Sequence, residues 1–248
     1  MLSTTHTPDV STDDRSALRP IAVAIGLALA GFGANFGASV VAGAIAAVAV
    51  GPEAVLNDGT LQFALGLPGQ LLVVGFSLGY LRWRSLPVDV TLPTRTESLL
   101  IGTSVVASAA AAFGLTFLRR AVADSVTSTV GGLVSADPAL ALMMGVASIL
   151  LIAPAEELLF RGAVQGRLRQ RFGRWPSIVG ASTLFAGWHL LNFDGSVVGT
   201  ALAAGVVGAV SLLWGYTYER TGNFAVPVLT HGLYNMTLMA ITYAELTA

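Results

Sequence analysis

The chain has 248 residues, 54% of them apolar and only 11% charged, with a formal net charge of −1. A soluble domain carries about 25% charged residues, so a soluble globule is excluded and lipid is the solvent for most of this chain. The near-neutral balance supplies no basic surface for nucleic acid, and the absence of Cys removes disulfides, thiolate metal sites, iron–sulfur clusters and a Cys nucleophile together.

Residues 1–20, MLSTTHTPDVSTDDRSALRP, are polar and rich in Ser, Thr and Asp, which predicts a disordered tail before an uncleaved first helix, with His6 a solvated residue of that tail. Apolar runs between charges and Pro/Gly punctuation then predict seven spans, at 21–50, 61–81, 98–118, 139–164, 176–193, 197–218 and 224–244. The first run is longer than a bilayer needs; it tilts, overshoots, or breaks near Asn35, and a break gives eight helices. Alternation of period two is absent, so the fold class is all-α: one polytopic integral membrane helix bundle over 21–248. Gly33 with Gly37, and Gly195 with Gly199, have GxxxG spacing, which predicts tight helix packing without implying a specific dimer.

Arginine placement orients the bundle, because cations accumulate on the cytoplasmic side. With the N-terminus inside, the inner segments carry ten Arg, among them Arg167, Arg169, Arg171 and Arg174 in a single loop, and the outer loops only Arg119 and Arg120. Seven helices then put the C-terminus outside the cell membrane.

Nearly all acids lie in the tail, in loops or at span ends; Glu156 and Glu157 do not. Charges inside a span cost a few kcal/mol each, which makes them functional candidates. Each helical residue advances about 100°, so Glu157 and Arg161, at i and i+4, can pair as a structural ion pair while Glu156 points about 140° from Arg161. Glu156 is thereby left as an unpaired carboxylate, suited to a general base or a metal ligand, and Pro154 just before it loosens the helix. The other ionisable groups within spans are His189 and His231, the latter sharing a helix face with Asn235 four residues on. At about 1.5 Å per residue from the nearest loop Arg, Glu156 and His231 lie roughly 16 Å deep and His189 and Asn235 roughly 22 Å deep, so all four can meet in one site near mid-bilayer. Signatures such as HExxH, GxSxG, a P-loop or GxGxxG are absent.

These residues fall into three ordered motifs: EExxxR at Glu156-Glu157-Leu158-Leu159-Phe160-Arg161, FxxxH at Phe185 to His189, and HxxxN at His231 to Asn235. In them the chain resembles the CPBP intramembrane proteases, also called type II CAAX prenyl endopeptidases or the abortive-infection family, with the catalytic core at about 139–240. The resemblance implies an endopeptidase acting on a membrane-associated peptide or protein within or at the edge of the bilayer. It implies that Glu156 and His189 activate a water, while His231 and Asn235 hold the scissile carbonyl and its oxyanion. Eukaryotic members trim the tripeptide after a prenylated Cys; many prokaryotic members have no assigned substrate, so that specificity is not carried over.

Two mechanisms share these residues. Glu156, His189 and His231 make a His₂Glu set able to hold one divalent ion, zinc foremost, with Asn235 the oxyanion donor. Against it, neither His has an acidic partner in adjacent sequence, and Asn235 beside His231 suits a donor pair, which favours a metal-free glutamate mechanism. Alternatives of other classes are a catalytically idle immunity or interaction protein of the same family, and an ion- or haem-binding membrane protein using the two His.

Overall fold

The structure, a computed structural model, describes residues 11–122 and 126–248. His6 and residues 1–10 of the expected tail lie outside the described residues. Helix α1 runs unbroken from Ser11 to Val50, so residues 11–20 are helical where the sequence predicts a disordered tail. A nucleated apolar helix extends into polar neighbours at the cost of one residue's freedom per added hydrogen bond, which composition alone does not register. Of the alternatives for the long first run, the break near Asn35 is not present.

After α1 come a short helix α2 (Pro52–Asn57), α3 (Gly59–Arg84) and α4 (Arg95–Val122). Helix α5 (Thr129–Ala136) follows a two-residue strand β1 (Thr127–Ser128), which pairs antiparallel with β2 (Phe193–Asp194). Helix α6 spans Ala139–Phe172, α7 Arg174–Trp188, α8 Val197–Thr221 and α9 Ala225–Thr247.

Among the described residues five helices are long and apolar enough to cross a membrane: α1 from Leu18, α3, α4, α6 and α8. The expected spans at 176–193 and 224–244 do not reach that standard. Helix α7 has 15 residues, about 22 Å of rise against a hydrocarbon core of about 30 Å. It is followed by a 3₁₀ turn, Leu190–Asn192, and then β2. Helix α9 is long enough, with 23 residues, but carries His231 and Asn235 among several Thr and Tyr. These two helices contribute three of the four site residues, and a helix enclosed around a polar site is not required to be apolar all round.

The main core is built where α6 passes between α1, α3, α7 and α8, with Leu159, Phe160, Ala163 and Val164 wholly buried against Ala24, Val73, Phe185 and Trp214. Close approach between helices is fixed at particular glycines. A Cβ on Gly69 would run into the Asn35 backbone, its Cα 3.0 Å away, and one on Gly31 would strike the Leu159 side chain. Gly33 and Gly37, expected at a tight contact, have open space where a Cβ would stand. The spacing motif does not know which helix face meets a neighbour.

Candidate active site

Helix α6 is wound twice as a π-helix, at Ser148–Ile152 and Leu158–Gln165, with a short α segment Ala153–Glu157 between. The loosening expected from Pro154 takes this form. Proline has no N–H to give to the carbonyl four residues back, and the preceding Ala153 N–H donates to Ser148 O, five residues back. Glu156 and Glu157 end the α-wound segment between the two π segments, and both are buried.

The two carboxylates nevertheless have different partners. Arg161 Nε donates to Glu157 Oε2 at 2.9 Å, and both side chains are 0% exposed. The guanidinium reaches further, from Nη2 to Ser211 O at 3.1 Å and to Ser211 Oγ, tying α6 to α8; Ser211 Oγ donates in turn to Ser182 Oγ on α7 at 3.2 Å. Glu156 takes no part in that network. Its Oε2 stands 3.8 Å from His231 Nε2.

His231 lies on α9 with Nδ1 2.9 Å from Glu157 Oε1, so a proton on Nδ1 is donated to a carboxylate already bound to Arg161. Its ring stacks on the indole of Trp214, 3.9 Å between centroids and 16° from parallel. Trp214 is itself held by donation from Nε1 to Ser108 Oγ on α4 at 3.2 Å. Glu157 is therefore a shared anchor for Arg161 and His231. The sequence pointed only to the first role, and to no acidic partner for either His, because that partner comes from another helix.

His189 closes α7. The helix tightens there, with His189 N–H donating to Ala186 O, and the Phe185 carbonyl left over is taken by His189 Nδ1 at 2.8 Å. That bond turns Nε2 away from the backbone. The Phe185 ring lies 4.5 Å from the imidazole and edge-on to His231 and Trp214, a packing role. Asn235, one turn beyond His231, donates from Nδ2 to Ser148 Oγ at 2.8 Å, where the first π segment begins.

Glu156, His189, His231 and Asn235 line one cavity of about 380 Å³, together with Ser148, Trp214 and Gln70. The structure thus brings the four expected side chains to one space and sets Glu157 and Arg161 behind it. Ser148, Trp214 and Gln70 were missed from the sequence; a Ser, a Trp or a Gln in an apolar run has no spacing signal that marks it. Glu156, His189 and His231 share this cavity, and among the described residues no three His, Cys, Asp or Glu side chains are gathered as a group able to hold a metal ion.

Comparison with known proteins falls on the part of the chain that builds this cavity. Residues 138–237 match the family described as Type II CAAX prenyl endopeptidase Rce1-like. The resemblance to the type II CAAX prenyl endopeptidases holds over this segment. All four cavity residues and the Glu157–Arg161 pair lie inside the Rce1-like segment, whereas α1, α3 and α4 lie outside it. The Uncharacterized protein YpbD of Bacillus subtilis (strain 168) is 40% identical over 82 residues, 33% of this chain and 36% of that protein. The match thus spans only about a third of either chain. No solved structure matches.

Proposed function

We propose that the chain is an intramembrane endopeptidase of the CAAX-protease type that hydrolyses a peptide bond with a water activated by Glu156 and His189. The observation that carries this reading is the convergence on one cavity of Glu156, His189, His231 and Asn235, all four of which lie inside the Rce1-like segment. An ionised carboxylate facing the cavity has lone pairs with which to accept a proton from water, which suits a general base. Glu156 takes a proton from water as the water oxygen bonds to the carbonyl carbon. The carbonyl electrons move to its oxygen, the C–N bond then breaks, and the proton held by Glu156 passes to the departing amine. His189, with Nδ1 spent on Phe185 O, offers Nε2 to the second water hydrogen.

Donors for the oxyanion come from α9. Asn235 uses one Nδ2 hydrogen on Ser148 and retains another. His231, with Nδ1 on Glu157, presents Nε2 to the same space. A proton on Nε2 makes it a donor to that space.

Comparative proteomics of membrane peptides from cells with wild-type and Glu156→Gln protein tests the reading. A cleavage present with the first and absent with the second is expected; its absence from both would favour the idle family member. The Arg bias assigns the N-terminus to the cytoplasm, and seven crossings would then put the C-terminus outside. The segment expected as a loop at 167–174 is helical as far as Phe172, and Gln170, in the last turns of α6, is exposed. A Cys at Gln170, in a chain with no other Cys, is expected to react only from the cytoplasmic face; reaction only from outside would reverse the orientation.

A further inference from the structure

Gln70 stands on α3, outside the Rce1-like segment, and lines the same cavity as Glu156 and His231. It shares the inward stripe of α3 with Val73, Ser77 and Leu81, whereas the next residue, Leu71, is 59% exposed. Its rotation is set by its neighbour. Gly69 lets the Asn35 backbone of α1 approach to where a Cβ would otherwise stand, which fixes α3 against α1 and turns residue 70 to the cavity.

The Gln70 Oε1 atom is buried and has no hydrogen-bond partner among the described residues. Buried side-chain acceptors are nearly always paired, and an unpaired one costs free energy. The wall it shares carries apolar side chains, among them Phe63, Met144 and Met239, beside the polar groups of Glu156, His231 and Asn235. An amide oxygen there accepts from an N–H donor of whatever fills the cavity.

We propose that Gln70 is a substrate-binding residue whose side-chain amide pairs with one peptide unit of the segment held in the cavity. A primary amide carries an acceptor and a donor on one plane, the complement of a peptide N–H and C=O. The need for such a partner follows from the reaction. A peptide bond open to attack by water is extended, and its amide hydrogens have lost their helical partners; away from water each unpaired backbone group costs several kcal/mol. Gln70 supplies the missing acceptor. The identity of the occupant as a peptide rests on the endopeptidase reading above.

The test uses full-length Glu156→Gln protein in phosphatidylcholine vesicles. The probe is a fluorescent peptide with an S-farnesylated cysteine followed by three residues, and its amides around the cysteine are replaced one at a time by esters, each of which deletes one N–H. One ester is expected to weaken binding about fivefold, the worth of a neutral hydrogen bond. Adding Gln70→Met is expected to weaken the parent peptide and abolish sensitivity to that ester. Gln70→Asn, which keeps the amide but withdraws it by one methylene, is the second variant if the first does not fold. Undiminished ester sensitivity in the Gln70 variant, no sensitivity at any position, or no binding of the parent peptide would overturn the assignment. Cleavage by the Glu156-containing protein is read separately. Binding with the Gln70 signature but without cleavage would refute the endopeptidase reading and leave Gln70 as a peptide-binding residue.

Discussion

Helices α1 and α6 are almost equally apolar, with mean hydropathy of 1.8 and 1.9 over their most apolar stretches, yet 22% of that stretch is buried in α1 and 44% in α6. Helix α1 turns Val40, Val41, Ile45 and Val48 outward, Val48 to 91% exposure. Helix α6 encloses Glu157, Arg161 and Gln165. Hydropathy reports what a helix can be dissolved in; it does not report which helix stands at the centre. The charges do, since an ion pair tolerated in a bilayer is one that has been surrounded by protein.

The largest expected effect is at the centre. Glu156→Gln is expected to abolish proteolysis while the protein keeps its yield and thermal stability, because an amide of the same size cannot accept the proton from water. Glu157→Gln acts on the scaffold: with Arg161 left uncompensated and 0% exposed, the loss of stability is expected to be about 3–5 kcal/mol, read as a fall in melting temperature in detergent. If the two variants lose activity equally at equal folded yield, the division of labour between the carboxylates is wrong.

Glycines sharpen the contrast between the surroundings of α6 and the outer face of α1. A Cβ on Gly232, between His231 and Asn235, would meet the Ile149 Cα at 3.0 Å, and backbone cannot swing aside. Gly232→Ala is expected to push α9 off the first π segment, costing about 1–3 kcal/mol and lowering activity. Gly37→Ala on α1, with nothing within 4 Å, is expected to leave both unchanged. A matching loss at Gly37 would show that α1 has a protein neighbour there. The smallest expected effect is that of chelation, with activity surviving it. Stoichiometric zinc lost together with activity, and both restored on adding zinc, would overturn the metal-free mechanism.

Much of the site was legible because charge and His are rare in this chain and stand out. The i, i+4 spacing was enough to assign Glu157 to Arg161 and to leave Glu156 apart, even though part of that helix proved to be π-wound. Depth counting was sufficient to bring four side chains toward one level. It took no account of α7 ending at Trp188, with His189 fixed by its bond to the Phe185 carbonyl. The extent of α1 past its apolar part was missed because helix propagation does not depend on hydropathy.

The sequence by itself determined that the chain is helical and built for lipid, which residues are costly to bury, and which of them share a helix face. These follow from composition and from the local geometry of one helix. Only the tertiary structure decided that Glu157 serves His231 as well as Arg161, that Trp214 stacks on that imidazole, and that Gln70 joins the cavity from α3. Each of these contacts joins residues from different helices, brought together by packing that spacing along the chain does not encode.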